Sequence, residues 1–240
     1  MEITHQLGFI DLGRMGYHAA YEQQTAHHAA VLASRESDAP ELGRVLFVEH
    51  DPVITVTRRP DAAGHVTASP EILEQHGVEV HATDRGGDVT YHGPGQIVCY
   101  PIIDLNRARL RLHEYMRLLE DCVMDTMKSF GIATQRETGA TGVWTDPGCA
   151  EPAKICAMGL RVRRWVTLHG LAINVRTNLE HFGLIVPCGL SRPVTSMEQE
   201  LGDACPADGA VKQTLFEHLQ RRISLSAQRG PAEHTGPRES

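Results

Sequence analysis

The sequence predicts an α+β protein in which helices flank a mixed β-sheet core, and three observations support this. Runs that are rich in β-branched residues, or that alternate in polarity with period two, predict strands in two separate clusters. Patterns with helical spacing lie between and after those clusters. The elements do not alternate regularly, as they would in a βαβ repeat. We therefore expect a single domain over residues 1–225, large enough to be a catalytic domain, followed by a polar, disordered tail at 226–240.

The first half of the chain is expected to begin with a helix and to continue with strands. The helix should cover Tyr17–Ala33 and end at a turn rich in Ser, Asp and Pro. Two β-branched strands and one half-buried, alternating strand follow, at Arg44–Glu49, Val53–Thr57 and Val78–Ala82. The glycines of Gly93-Pro94-Gly95 permit a tight reversal, so Asp88–His92 and Gln96–Ile103 predict a β-hairpin.

The second half combines one strongly periodic helix with a strand pair and two further helices. From Leu112 to Phe130 apolar residues recur every three or four positions, which predicts an amphipathic helix that ends at Gly131. Strands are expected on both sides of a turn near Arg163 and Arg164, at Lys154–Val162 and Trp165–Val175. Ser196 begins a capping box that predicts the start of a helix. A last helix is expected at Asp208–Ile223.

Composition excludes several classes of function. The formal net charge of −7 argues against a protein that wraps nucleic acid. No run approaches the roughly 20 apolar residues that span a bilayer, and the first residues do not resemble a secretory signal. We therefore expect a cytoplasmic protein that does not bind membranes. The 6 cysteines and 14 histidines show no metal-ligand spacing, so free thiols and no metal site are predicted.

The segment richest in glycine and in candidate binding residues runs from Arg85 to Gln96, with the sequence RGGDVTYHGPGQ. Four glycines in twelve residues cost backbone entropy unless a close approach or a positive φ requires them. Thr90 and His92 are two residues apart and should share one strand face. An isolated Gly-Pro-Gly could equally be a plain surface turn. The combination with an arginine, paired glycines and a histidine favours a ligand pocket, and the absence of GxGxxG excludes a dinucleotide fingerprint.

Three later segments add candidate reactive and lining residues. Lys154 lies in an otherwise apolar strand, where it is either an edge residue or a buried base. The strand around Gly170 is interrupted by that glycine, which suggests close approach of another group. Cys188 lies in a Pro-Cys-Gly bend, which favours a reactive thiol. Cys156, two residues from Lys154 and on the same face by strand alternation, remains an alternative on spacing alone.

Together these segments closely resemble the lipoyl(octanoyl) transferase family. The resemblance covers about Glu49 to Glu198 and rests on RGG-x-x-TYHGPGQ followed by AKI and PCG. The family is similar in fold to lipoate-protein ligases and to the catalytic domain of biotin protein ligases, which implies the same fold here. One departure is visible, because family members often carry a glycine near Thr57 and the stretch from Thr55 to Arg58 has none.

The resemblance also implies roles for individual residues. Cys188 would carry the acyl group as a thioester, and Lys154 would lower the pKa of that thiol and act as the base. The residues implied to contact the acyl chain are Arg85, Gly86, Gly87, Asp88, Val89, Thr90, Tyr91, His92, Ala157, Met158, Gly159, Gly170, Leu171 and Ala172.

The implied reaction moves an octanoyl group from octanoyl-acyl carrier protein to a lysine of a lipoyl domain. The implied acceptors are the E2 subunits of 2-oxoacid dehydrogenases and the glycine cleavage H protein. Exchange of one thioester for another is nearly balanced in energy and amide formation runs downhill, so no cofactor is expected. Three alternatives stay open: an amidotransferase acting between lipoyl-bearing proteins, an ATP-dependent ligase, and a non-catalytic acyl-binding module.

Overall fold

The computed structural model describes residues 6–146, 148, 151–186 and 192–228. Within these ranges the strands are β1 Gly8–Met15, β2 Gly43–His50, β3 Val53–Val56, β4 Glu79–Ala82, β5 Thr90–His92, β6 Gln96–Ile103, β7 Thr134–Glu137, β8 Ala140–Thr145, β9 Lys154–Arg163 and β10 Val166–Asn174. The α-helices are α1 Tyr17–Ala33, α2 Pro70–Gln75, α3 Leu105–Ala108, α4 Leu112–Ser129, α5 Met197–Leu201 and α6 Asp208–Gln228. Short 3₁₀ turns occur at Ser34–Glu36, Ala62–His65, Leu179–Leu184 and Gly202–Ala204.

The strands form two sheets of mixed direction, which confirms the predicted α+β class. The larger sheet has the strand order β1-β2-β6-β10-β9-β8-β7, and the smaller sheet has the order β4-β3-β5. Only β1 with β2 and β3 with β4 pair in parallel among the named strands, and the other described pairs are antiparallel. Strand β6 lies between β2 and β10, and so joins the strands from the first and last parts of the chain in the large sheet.

The large sheet is covered on both faces, and each face has its own apolar core. One face packs against α4 and α6, and the aliphatic residues of α4 at Leu119, Val123 and Met127 lie fully buried there. The other face packs against α1, through residues such as Ala20 and Val31. Burial of the predicted apolar stripe is thus what fixes α4 on the sheet. No helix within the described ranges is long and apolar enough to cross a membrane.

Elements specified by local pattern were predicted well. Helix α1 has the expected bounds, and α4 ends just before Gly131, whose φ of +83° suits a helix terminus. The β9–β10 hairpin is confirmed, and both turn residues, Arg164 and Trp165, adopt positive φ as a two-residue hairpin turn requires. Helix α6 continues to Gln228 with Ser226 and Ala227 buried, so it passes the expected boundary at residue 225. Residues 229–240 lie outside the described ranges.

Two strand predictions were wrong in part. The expected hairpin between Asp88–His92 and Gln96–Ile103 does not form, because β5 pairs with β3 while β6 pairs with β2 and β10. The tight reversal at Gly95, with φ of +78°, instead carries the chain from the small sheet to the large one. Turn propensity cannot distinguish these outcomes. Strand β4 also departs from the half-buried pattern, since Val80 is 47% exposed on this edge strand.

Candidate active site

Lys154 reaches the site because strand β9 contains a β-bulge. On β8 the consecutive residues Val143 and Trp144 point to opposite faces, and they pair with Cys156 and Lys154. The extra residue between those partners is Ile155, so Lys154 and Cys156 lie on opposite faces of the sheet. This corrects the expectation from strand alternation that they share a face. The bulge turns the lysine away from the α4–α6 core.

The amine of Lys154 lies over an aromatic ring at the end of the sheet. Its Nζ is 4.6 Å from the ring centroid of Trp144, which is 2% exposed, and the guanidinium of Arg192 lies 5.3 Å from the same centroid. Gly142 makes room for this arrangement, because a Cβ there would lie 2.5 Å from the Cys156 carbonyl oxygen. No sequence pattern pointed to Trp144, because its contact with Lys154 depends on the β8–β9 register.

The chain on both sides of the predicted nucleophile is anchored by backbone hydrogen bonds. On one side the N–H of Val186 donates to the carbonyl of His65 at 2.8 Å. On the other side the N–H of Lys154 donates to the carbonyl of Pro193 at 2.9 Å, and Thr195 donates back to Lys154 at 3.0 Å. The segment that contains Cys188 therefore begins beside the small sheet and ends beside Lys154. Cys188 itself lies outside the described residues.

Cys156, the competing thiol, has the environment of a core residue. It is fully buried among the apolar side chains of the α4–α6 core, and its Sγ contacts the carbonyl of Ala157 at 3.5 Å. Burial raises its pKa well above the ordinary value for a thiol, because the thiolate would lose its hydration. A protonated thiol without access for a substrate is a poor nucleophile.

Four of the predicted lining residues form a floor of small residues on the Lys154 face of the sheet. Ala157 pairs directly with Ala172, and Gly159 pairs with Gly170, across strands β9 and β10. We call these four residues the floor. Because alternate residues point to opposite faces, the intervening pair, Met158 and Leu171, packs towards the α4–α6 core instead. The side chains of Met158 and Leu171 are thus separated from the other predicted contacts.

The first part of the glycine-rich segment lies against this floor. The N–H of Gly86 donates to the carbonyl of Leu160 at 2.8 Å. Arg85 donates from Nη2 to the carbonyl and hydroxyl oxygens of Thr55, at 3.1 and 3.0 Å, which ties the segment to the small sheet. Gly87 has a φ of +97°, a conformation that favours glycine. The structure therefore places Arg85 and Gly86 next to the floor, and all of these residues were predicted to contact the acyl chain.

The rest of the segment alternates between two environments. Val89 and Tyr91 lie in the apolar core of the small sheet, and burial raises the pKa of Tyr91 to about 12. Thr90 and His92 lie on the other face of strand β5, as alternation predicts. Asp88 is buried, with an Oδ2 2.7 Å from Nδ1 of His65. Asp88 also accepts a hydrogen bond from the N–H of Val89 at 2.8 Å.

His92 belongs to a buried group of histidines on the α1 face. Burial lowers the pKa of His92 to about 3, helped by the nearby His50 and the guanidinium of Arg85. Burial likewise lowers the pKa of His50 to about 4 and, with Arg85 and Arg161, that of His169 to about 3. His92 Nδ1 lies 2.7 Å from Gln96 Oε1, and His50 Nε2 lies 2.7 Å from the Tyr100 hydroxyl. These imidazoles are therefore neutral near pH 7.

Stability should fall on mild acidification because of these neutral histidines. A folded-state pKa below the unfolded value of about 6.5 means that stability is complete above pH 6.5 and decreases as the pH falls towards 4. At pH 5 each such group costs up to about 2 kcal/mol. Urea unfolding from pH 7 to 5 should show this decrease, with a slope smaller by about one proton in His50→Gln.

The matched control for this slope is His18→Gln, since the His18 side chain is 78% exposed. It should retain the wild-type dependence on pH. Equal slopes for His50→Gln and wild type would show that His50 is not held neutral in the folded protein.

A charged cleft of about 540 Å³ lies next to the glycine-rich segment. The residues that line it are Thr57, Arg58, Arg59, Pro60, Asp84, Arg85, Gly86, Gly87 and Arg161. Arg161 forms an ion pair with Asp84, which also lies 2.8 Å from Nε2 of His169. Among the described residues, no group of three or more His, Cys, Asp or Glu side chains is arranged to hold a metal ion.

Comparison with known proteins gives matches over most of the chain. Residues 20–220 match the family model of the lipoyl protein ligase A/B catalytic domain. An octanoyltransferase from Acidobacterium capsulatum is 46% identical over 206 residues, which cover 82% of this chain and 81% of that protein. An octanoyltransferase from Flavobacterium johnsoniae is 39% identical over 216 residues, which cover 87% of this chain and 93% of that protein.

Solved structures with a similar fold are more distant in sequence. A bipartite lipoate protein ligase from Thermoplasma acidophilum superimposes with a TM-score of 0.68 at 13% identity, covering 91% of this chain and 84% of its own. The biotin protein ligase from Aquifex aeolicus in complex with biotin and ATP gives a TM-score of 0.52 at 11% identity, covering 90% and 70%. At these identities the likeness shows the fold alone.

Proposed function

The chain belongs to the lipoyl protein ligase A/B catalytic-domain family, among its octanoyltransferases, and from this premise we propose the reaction of this acyltransferase in detail. It transfers an octanoyl group from octanoyl-acyl carrier protein to a specific lysine of a lipoyl domain, through a thioester on Cys188. The observation that carries the proposal is the bulge at Ile155, which places Lys154 on the floor side of the sheet. The chain that follows Cys188 is hydrogen-bonded to Lys154.

In the first half-reaction, Lys154 converts Cys188 into a thiolate. A free cysteine has a pKa of about 8.5, so only a few per cent is ionised at pH 7, and a neighbouring ammonium lowers that pKa. The thiolate attacks the thioester carbonyl, the bond from carbon to the carrier sulfur breaks, and the leaving thiolate takes a proton from Lys154. The products are acyl-Cys188, the carrier thiol and a neutral Lys154 amine.

In the second half-reaction, the same amine acts as the base. The acceptor lysine attacks acyl-Cys188, and its proton passes to Lys154 as the amide bond forms. The Cys188 thiolate leaves and is again paired with an ammonium. The cycle closes without a nucleotide, a metal or another cofactor, because thioester exchange is nearly balanced and amide formation runs downhill.

The proposed acceptors are the lipoyl domains of 2-oxoacid dehydrogenase E2 subunits and the glycine cleavage H protein. The reaction would be the first step of endogenous lipoate synthesis, in the cytoplasm. Neither nucleic acid nor a membrane takes part. Arg85 to His92 and the floor would hold the octanoyl chain, with the exception of the core-facing side chains of Val89 and Tyr91.

Two related functions would use the same fold, and they differ from the proposed reaction in the acyl donor or in the need for an acyl cysteine. An amidotransferase would take its acyl group from another lipoyl-bearing protein by the same Cys–Lys chemistry. An ATP-dependent ligase would need no acyl cysteine. The relatives at 39–46% identity are octanoyltransferases, whereas the lipoate protein ligases of similar fold are only 13–14% identical, which supports the transferase. A non-catalytic binding module would tolerate loss of both Cys188 and Lys154.

Octanoyl-acyl carrier protein alone should leave one acyl group on Cys188. Intact mass measured with and without ATP should show the same octanoyl adduct, and hydroxylamine should remove it, because a thioester is labile to that reagent. Peptide mapping should place the adduct on Cys188. Cys156→Ser is the matched control, since its buried thiol should be dispensable for acylation.

The outcomes of this experiment separate the alternatives. An adduct on Cys156, or on no cysteine, contradicts the proposed intermediate. Dependence on ATP would identify a ligase, and an adduct formed only from an octanoylated lipoyl domain would identify the amidotransferase.

A further inference from the structure

The segment Arg85–Gly86 crosses strand β9 at Gly159, and we propose that it is the end wall that limits the bound acyl chain to about eight carbons. We call this segment the wall. The inference rests on the proposed octanoyl transfer and adds a residue-level cause for the chain length. It assigns the reactive end of the pocket to Lys154 and the terminal methyl group of the substrate to Arg85.

Direct contacts place the wall on the floor side of the sheet. A Cβ on Gly159 would lie 2.6 Å from the carbonyl oxygen of Gly86 and 3.1 Å from Cδ of Arg85. The methylene stem of Arg85 therefore covers Gly159 closely, and only glycine fits beneath it. Ala157, two residues nearer to Lys154, remains partly exposed. The open part of the floor thus lies between Lys154 and Gly159.

The wall is held rigidly from two sides. The hydrogen bond from Gly86 N–H to Leu160 fixes it to the large sheet, and the two bonds from Arg85 Nη2 to Thr55 fix it to the small sheet. Thr55 is fully buried, so these bonds are shielded from water. A wall fixed in this way can act as a limit, because moving it would break hydrogen bonds in both sheets.

The length of the open floor agrees with a chain of medium length. Lys154 and Gly159 are five residues apart, and the bulge at Ile155 shortens this stretch of strand to about four residues, or roughly 13 Å. An all-trans chain of eight carbons is about 9 Å long, and a chain of twelve carbons is about 14 Å long. The floor is therefore long enough for an octanoyl chain and too short for a dodecanoyl chain.

The space beyond the wall is unsuitable for a longer chain. Arg85 and Gly86 also line the charged cleft, together with Arg58, Arg59 and Asp84. Methylene groups that passed the wall would enter a cleft lined by exposed guanidinium groups, and would displace water from those charges. Each carbon up to the eighth should therefore improve binding, and further carbons should not.

The test measures kcat/KM with hexanoyl-, octanoyl-, decanoyl- and dodecanoyl-acyl carrier protein. In the wild type each methylene up to octanoyl should raise kcat/KM about fourfold. Decanoyl should fall below octanoyl. Arg85→Ala should raise the decanoyl-to-octanoyl ratio by at least about 10-fold, whereas Arg85→Met keeps a methylene stem but loses the hydrogen bonds to Thr55 and should raise that ratio less. Ala157→Val should shift the preference towards hexanoyl.

The controls keep the test decisive. Lys128→Gln, an exposed change on α4, should leave the profile unchanged. If Arg85→Ala does not fold, Ala157→Val and Arg85→Met still decide the matter. An Arg85→Ala or Ala157→Val variant that transfers octanoyl groups with the wild-type ratios of kcat/KM among the chain lengths would overturn the proposal that the wall limits the acyl chain. Equal decanoyl-to-octanoyl ratios for Arg85→Met and Arg85→Ala, both changed, would assign the limit to the guanidinium group and its hydrogen bonds to Thr55, and would overturn the role of the methylene stem. A wild type that transfers no acyl group would overturn the proposed function itself.

Discussion

Lys154→Arg is expected to lose at least about 100-fold in turnover while part of the first acylation survives. Arginine can support a thiolate electrostatically, but with a pKa above about 12 it cannot accept a proton from the incoming amine. Its planar head also fits the Trp144 ring differently from the ammonium that lies 4.6 Å above it. Rapid-quench measurement of the acylation burst, beside steady-state transfer to a lipoyl domain, should separate the two effects.

The matched control for this substitution is Lys128→Arg, an exposed position on α4. Its burst and turnover should both equal those of wild type. Turnover of Lys154→Arg within about twofold of wild type would show that Lys154 is not the base. Loss of the burst together with turnover would instead show that the lysine is needed equally in both half-reactions.

Gly170→Ala is expected to destabilise the folded protein by about 3 kcal/mol or more. A methyl group there would overlap the carbonyl oxygen of Cys99 and lie 2.6 Å from Cδ of Pro101. Both belong to the interior strand β6, which is paired with β2 on one side and β10 on the other, so a shift of its backbone would break strand hydrogen bonds. Urea denaturation monitored by circular dichroism should give a lower midpoint with an unchanged slope.

Gly183→Ala provides the comparison for this effect. Gly183 lies in an exposed 3₁₀ turn, where a Cβ would meet no atom within 4 Å. Its stability should change little, since the substitution mainly restricts the unfolded chain. A loss for Gly170→Ala no larger than that for Gly183→Ala would mean that β6 and β10 can separate at Gly170.

The elements that could be predicted from the sequence are those whose signals lie within a few neighbouring residues. Helices α1 and α4 and the β9–β10 hairpin were predicted because periodicity and turn residues act within a few positions. Strand β1 was missed, because its edge pairing with β2 is non-local and most of its residues are exposed. The separation of β5 and β6 into two sheets was missed for the same reason, since each strand is placed by distant partners.

The candidate site shows the same limit. Lys154, the glycine-rich segment and the floor strands were identified as chemical candidates, and the structure places most of them around one face. The orientation of Lys154 could not be predicted, because the bulge depends on how β8 pairs, with Gly142 at a φ of +124°. For that reason Cys156 competed with Cys188 on spacing, although its side chain lies in the opposite core.

The division between the two sheets has a consequence for how such a protein can diversify. The amine and the floor belong to the large sheet, whereas the wall is carried by the chain between β4 and β5 of the small sheet. On the proposed roles of Lys154 and the wall, changes in the small sheet would alter which substrates are accepted without altering proton transfer. Substrate selectivity could then change during evolution while the reactive residues of the large sheet stay the same. The chain between β4 and β5 is accordingly the segment to exchange in order to engineer selectivity.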